Sequence, residues 1–422
     1  MLYRFLHLIL RFWLRIHFRR IYKTGFENIP ATGPVILACN HPNSFLDAVV
    51  VALLSKRPVN FLARSDVFRK KWAAWILAQL NMIPIYRLQE GMENLEKNQG
   101  TFKKCFEILA KGEVLLIFSE GICVLEKRLR PLKKGTARIA FGAEELYQFQ
   151  LNLKIVPLAL TYTRATEFRS ELFIVAAAGF SIKHLQSLWH EEPARAIRTF
   201  NEQLSPLLEN NLLVIPDKKT EKQAEWMLEL GRSQLSYPLF KTFFHGRQRL
   251  QKEQHWMEQL FKLPTDSWTE RIRHLKEVHK HIGIPLDSAL TKKPAPLFFL
   301  LTGLLIALPS LVLHGLPLWL SQKITQKTVR DAKFKSSVQF GTSAIFSYLW
   351  YLIIFLVLVC IKPILLPLVL LLPWMAYLSI LWWEALQHKR WNTQRLAFKK
   401  MSEKAYQSWQ QERSSLLRAI EG

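Results

Sequence analysis

Residues 38–50 read ACNHPNSFLDAVV, an apolar run that breaks into Asn40, His41, Pro42, Asn43 and Ser44 and then resumes with Asp47 inside it. A buried polar group is costly unless it finds a partner. An imidazole and a carboxylate this close, just after a strand-like run, can be a base and the acid that orients it. A neutral imidazole can take the proton of an attacking hydroxyl, while the carboxylate fixes its tautomer and steadies the imidazolium. The same residues also fit a capped turn, with Asn43 or Ser44 opening a helix and Asp47 near its positive end.

The surrounding elements read as α/β. Between residues 25 and 183 the runs PVILAC, VNFLA, EVLLIF, KIVPLALTY and LFIVAAAG alternate with helical stretches such as 68–80 and 101–111. That alternation predicts a sheet covered by helices. Residues 1–24 form an amphipathic helix in this reading. Leu2, Phe5, Leu6, Ile9, Phe12, Trp13 and Ile16 share one face, and Arg4, Arg11, Arg15 and Arg19 a separate stripe, a pattern for a helix lying in a membrane interface. Residues 184–295 are charged and mostly helical in pattern, with VIPDKKTEKQ as a loop, and predict a helical subdomain.

Residues 296–386 carry two apolar blocks. The first, 296–320, is long enough to span a bilayer; the second, 343–383, is about twice that length and is broken by Pro363, Pro367 and Pro373, so it reads as two spans. Basic residues flank the blocks: Lys292 and Lys293, then Lys323, Lys327, Arg330, Lys333 and Lys335, then His388, Lys389, Arg390 and Arg395. The positive-inside rule draws all of these to the cytoplasmic side. The first block is therefore expected to turn back on itself near Pro309 to Gly315, with the α/β domain on the cytoplasmic face and 387–422 as a basic cytoplasmic tail. A net charge of +25 points to a polyanionic partner, and the 50% hydrophobic content favours membrane lipids over nucleic acid, for which no motif appears. Cys39, Cys105, Cys123 and Cys360 have no framework spacing, which implies a reducing compartment and buried, structural thiols. His7, His17 and His314 read as structural, and no metal cluster is evident.

Four blocks across residues 35–183 resemble, in order, the signature of the glycerophosphate (glycerolipid) acyltransferases. NHPNSFLD resembles the block whose His and Asp form the catalytic pair, which implies that role for His41 and Asp47. NMIPIYR is similar to the block ending in a phosphate-holding Arg, here Arg87. IFSEG followed by LRPLKKGTARIA resembles the block whose Glu-Gly serves acceptor binding, here Glu120 and Gly121. IVPLALTY resembles the fourth. Five residues separate His41 from Asp47 where four are common; the wider spacing, EFRSELFIVAAAG and the C-terminal membrane segments resemble the fungal-type branch that acylates glycerol 3-phosphate and dihydroxyacetone phosphate. Ser119, Ile122 and Cys123 depart from the usual third block.

The resemblance implies an acyl-thioester donor, acyl-CoA or acyl-carrier protein, no cofactor or metal, and a glycerol-phosphate acceptor, lysophosphatidate or glycerol 3-phosphate. Two other readings remain: a lysophospholipid remodelling acyltransferase, and a non-catalytic lipid-binding or scaffold protein of the same fold. For the acceptor phosphate, Lys134 and Arg169 are candidates beside Arg87, and Arg64 a further one. Asn40 or backbone N–H groups near residues 42–44 are candidates for holding the oxyanion.

Overall fold

The computed structural model describes residues 2–86, 98–235, 238, 240–288 and 295–422. Arg87, Lys292 and Lys293 lie outside the described residues. The chain divides into two compact units: Met1–Leu212 with Phe243–Arg247 and Thr325–Gly341, and Leu213–Thr242 with Gln248–Ile324 and Thr342–Gly422. These units interleave along the chain, unlike the consecutive segments expected.

Among the described residues the first unit has eight strands: β1 (Arg20–Thr24), β2 (Val35–Cys39), β3 (Val59–Arg64), β4 (Met82–Ile85), β5 (Val114–Phe118), β6 (Lys154–Tyr162), β7 (Glu171–Ala176) and β8 (Phe243–His245). They form one sheet in the order β4-β3-β5-β2-β6-β7-β1-β8. Every pairing is parallel except β6 with β7. Its helices are α1 (Leu2–His17), α2 (Ser44–Leu54), α3 (Lys71–Gln79), α4 (Asn98–Ala110), α5 (Gly135–Leu146), α6 (Gln186–Glu191) and α7 (Pro193–Glu209). Strands β2 and β5, and β7 after Glu171, are apolar without alternation because both faces are covered. On one face Ile36, Ala38, Leu115 and Ile117 pack against Leu109, Phe141, Phe200 and Leu204 of the helices.

Three expectations change here. Residues 20–24 are a strand rather than the end of the first helix, and that helix buries only its last turns: Trp13, Leu14 and Ile16 are core, whereas Phe5 and Leu8 are exposed. Residues 184–209 are helical as expected but complete the sheet's core through Ala196, Phe200 and Leu204 rather than forming a subdomain. The three-residue β8, too short to show a period, joins the sheet edge from within 184–295.

The second unit contains α8 (Glu221–Arg232), α9 (Gln248–Lys262), α10 (Asp266–His281), most of α11 (Leu297–Thr328) and of α12 (Ala332–Ile361), α13 (Leu372–Met401) and α14 (Glu403–Glu421). Helices α8, α9, α10 and α14 pack together around Trp256, Trp268, Leu228 and Ile420. Within them a fully buried Glu253 takes a bidentate pair from Arg232 at 2.8 Å. The tail 403–421 is therefore a packed helix with Tyr406, Trp409 and Leu416 inside.

Among the described residues, three segments are long and apolar enough to cross a membrane: Leu297–Thr328, Ala332–Ile361 and Pro363–Met401. In each, no more than 22% of the apolar window is buried by protein, so lipid is the solvent that suits the rest. The first is one continuous helix through Pro309 and Pro317, which overturns the expected turn near 309–315. A proline removes one N–H and bends a helix, but a spanning helix that reversed in lipid would expose many more backbone groups. The second block divides as expected, at the Pro363–Leu371 turn of 3-10 helix.

Candidate active site

Because β2, β5 and β6 run side by side in parallel, their C-terminal ends share one edge of the sheet. Open α/β sheets bind ligands at this edge. His41 follows β2, Phe118 and Tyr162 are the last residues of β5 and β6, and Glu120 lies two residues past β5.

His41 Nδ1 lies 2.9 Å from Asp47 Oδ2. Asp47 is fully buried within α2, and it is held on both oxygens: Oδ2 also accepts the Asn43 N–H at 2.7 Å, and Oδ1 accepts the Tyr162 hydroxyl at 2.7 Å. Bonds of this kind to a carboxylate are about twice as strong as neutral ones. Burial, and then the charge of Asp47, push the Tyr162 phenol well above its ordinary range, so it is a donor at any working pH. The imidazole stacks on Phe118 with ring centres 3.8 Å apart and planes within 13°. With Nδ1 turned to Asp47 and the ring fixed by Phe118, no described residue engages Nε2. This is the arrangement of a base whose second nitrogen is left for a substrate.

Glu120 is buried, and its two oxygens accept the N–H groups of His41 at 2.9 Å and of Arg130 at 3.3 Å. Burial raises its pKa against those two bonds, which favour the anion. It anchors the backbone of His41 to the loop at 121–134. Gly121 opens that loop at a φ of 68°, in the left-handed region that suits glycine. The loop carries Lys127, Arg128, Arg130, Lys133 and Lys134. Glu126 pairs with Arg130 at 2.7 Å and with Arg128 at 3.7 Å, and Lys127 reaches the Thr163 carbonyl at 3.3 Å. Lys134 is exposed at the start of α5. Arg128 and Arg130 were not singled out in the sequence; their signal was five cations within LEKRLRPLKK.

Two candidates are employed elsewhere. The Asn40 side chain donates to Leu160 O at 2.9 Å and accepts Leu160 N–H at 2.8 Å, adding a rung where the β2–β6 ladder ends. Its amide is thus engaged at both ends by Leu160 of β6. Arg169, at a φ of 62°, donates through Nη1 to the carbonyls of Arg15, Ile16 and Phe18, at 2.8, 3.3 and 2.8 Å. It caps the C-terminus of α1, where a helix leaves carbonyls without partners. Arg64 pairs with Asp66. The cysteines are free thiols; Cys39 and Cys105 are buried as expected, but Cys123 is partly exposed and Cys360 exposed. Among the described residues no group of His, Cys, Asp or Glu is arranged to hold a metal.

The family model described as Acyltransferase matches residues 20–161. Residues 20–161 are an acyltransferase-family domain. The match takes in His41, Asp47, Phe118 and Glu120, and it ends one residue before Tyr162. The chain is 29% identical over 141 residues to the 1-acyl-sn-glycerol-3-phosphate acyltransferase BAT2 of Brassica napus, covering 32% of this chain and 39% of that protein. It is 25% identical over 252 residues to glycerol-3-phosphate O-acyltransferase 1 of Saccharomyces cerevisiae, covering 56% of this chain and 33% of that one. The match thus spans about two-fifths or less of these relatives' own length. Among solved structures, the 1-acyl-sn-glycerophosphate acyltransferase PlsC of Thermotoga maritima is 18% identical at a TM-score of 0.35, covering 49% of this chain and 79% of that one.

Proposed function

We propose that the protein transfers a fatty acyl group from an acyl thioester, acyl-CoA or acyl-carrier protein, to a hydroxyl of a glycerol-phosphate acceptor. The observation that carries this reading is the His41–Asp47 bond of 2.9 Å, with Asp47 held by Tyr162 and Asn43 at a sheet edge. His41 Nε2 takes the acceptor's proton as its oxygen attacks the thioester carbonyl; the tetrahedral intermediate collapses, and the imidazolium returns the proton to the departing thiolate. Because the nucleophile is the acceptor's own hydroxyl, no acyl-enzyme forms. Asp47 holds the imidazole in one tautomer and stabilises it when charged. Arg130, whose backbone shares the Glu120 carboxylate with His41, and Arg128 beside it supply cations for the acceptor phosphate, with Lys134 at the same loop's end.

Residues 325–341 lie in the same unit as the site and carry Lys327, Arg330, Lys333 and Lys335; under the positive-inside rule this charge supports a site facing the cytoplasm. Lysophosphatidate and glycerol 3-phosphate share the chemistry of this acceptor. The five-residue His41–Asp47 spacing and the longer similarity to the yeast protein favour glycerol 3-phosphate, whereas the higher identities are to lysophosphatidate enzymes. Thiol release from acyl-CoA, measured with each acceptor and with headgroup-bearing lysophospholipids, tests the proposal. Acceptor-dependent release with either phosphate monoester supports it, and release with none of them, or only with headgroup-bearing lipids, overturns it.

A further inference from the structure

The loop between His41 and Asp47 is held by groups that come from far away in the chain. Its Ser44 adopts a φ of 49°, a left-handed conformation that a non-glycine residue keeps only where its surroundings enforce it. Ser44 also opens α2, and a helix start leaves its first N–H groups without intrahelical acceptors. The usual remedy is the side chain of the preceding residue. Asn43 does not provide it: its side-chain oxygen accepts no N–H of α2, and its amide nitrogen donates to the Ala165 carbonyl at 2.9 Å.

Two outside groups stand in. The sulfur of Cys123 accepts the Ser44 N–H at 3.0 Å. The hydroxyl of Ser337 accepts the Leu46 N–H at 3.2 Å and donates to the Asn43 carbonyl at 2.8 Å. Ser337 is fully buried and stands 294 residues from Asn43. The segment that brings it, residues 332–341, is part of the same compact unit. It is firmly seated there: Ser336 Oγ lies 3.2 Å from His17 Nε2, and the Phe340 ring meets His17 edge-on with centres 5.1 Å apart.

We infer that Ser337 is a positioning residue for the His41–Asp47 pair, capping α2 in place of Asn43. Asn43 links the two roles. Its N–H fixes Asp47 Oδ2, and its carbonyl is fixed by Ser337. Without the hydroxyl, a buried donor and a buried acceptor lose their partner together, and Asn43 becomes free to rotate away from the carboxylate. The five-residue spacing is thus held to its working geometry by the first turns of α12, and the site is complete only with that segment in place. The inference rests on the acyl-transfer reading for its kinetic consequence, but not for its structural one.

The test uses the full chain in nanodiscs of mixed zwitterionic and anionic phospholipid, with Ser337→Ala, Ser337→Thr, Ser337→Cys and Ser336→Ala. A misplacement of about 1 Å can cost on the order of 100-fold in rate, so Ser337→Ala should lower kcat by about 10- to 100-fold with KM for acyl-CoA changed by about twofold or less. Hydrogen exchange in the peptide covering 40–48 should quicken. Ser337→Thr keeps the hydroxyl and should recover most of the rate, and Ser337→Cys, a weaker acceptor of similar size, should fall between. Ser336→Ala deletes an equally buried hydroxyl one residue earlier and should leave kcat within about twofold. A folded Ser337→Ala or Ser337→Cys with wild-type kcat and exchange, or an equal loss in Ser336→Ala, overturns the inference. A wild-type protein without transferase activity strikes the functional reading alone; accelerated exchange in 40–48 would still sustain the capping role.

Discussion

Replacing Tyr162 by Phe removes a single oxygen, one that no substrate need touch. The lost bond is a 2.7 Å hydroxyl–carboxylate contact between Tyr162, 3% exposed, and Asp47, 0% exposed. A hydrogen bond to a buried charged group contributes about 1.5–3 kcal/mol, and no other described residue reaches Asp47 Oδ1. The carboxylate then keeps only its Oδ2 bonds and can turn about its own axis. The energetic loss appears where His41 becomes positively charged, in the transition state. About 1.4 kcal/mol there is tenfold in rate, so Tyr162→Phe should lower kcat by about 10- to 100-fold. The KM values for acyl-CoA and acceptor should stay within about twofold, because ground-state binding is untouched. Initial rates of thiol release, with each substrate varied in turn, separate the two parameters. A folded variant with wild-type kcat, or one whose loss lies entirely in KM, would refute the claim that Tyr162 acts through Asp47.

Arg169→Ala should destabilise the first unit by about 1.5–3 kcal/mol by uncapping α1, seen as a lower midpoint in thermal unfolding. KM for the acceptor should be unchanged; a tenfold rise in a folded variant would return Arg169 to the phosphate site. Two buried histidines make stability fall in acid. Burial lowers His17 to about 3, with the Arg169 charge adding to it, and lowers His279 to about 4. Their folded pKa values lie below the unfolded value near 6.5, so each contributes stability that is full above about pH 6.5 and is lost as pH falls toward those values. The loss is on the order of 3 kcal/mol per histidine. Unfolding midpoints between pH 7 and pH 4 should drop less steeply in His17→Gln, which retains a hydrogen-bonding group toward Ser336; an identical slope would show that His17 is not the group responsible.

His41 and Asp47 were legible because both lie within one seven-residue stretch, where a polar break in an apolar run is itself the signal. Tyr162 was not, although its strand was. Only the parallel pairing of β2 with β6 brings residues 115 apart to one edge, and a terminal tyrosine on a strand has no mark of its own. Ser337 was less legible still, as a serine at the foot of an apolar helix. Arg169 and Asn40 have the right chemical types for binding, but their neighbours in three dimensions, the carbonyls of Arg15, Ile16 and Phe18 and the backbone of Leu160 in β6, take them first. The five core strands read correctly from their apolar runs. The strand at Arg20–Thr24 was missed because RIYKT mixes charge and apolar residues without a clear period. The expected turn in the first apolar block followed from weighing basic flanks above helix continuity, and the continuous helix shows that Pro309 and Pro317 are absorbed within it.

The central claim is that one imidazole, oriented by Asp47, removes the acceptor's proton. Single-turnover acyl transfer by His41→Ala in nanodiscs tests it most directly, with thermal unfolding to establish that the variant is folded. The account predicts a loss of about 1000-fold or more in the chemical step, with acyl-CoA still bound. A folded His41→Ala protein that transfers the acyl group at the wild-type rate would contradict it.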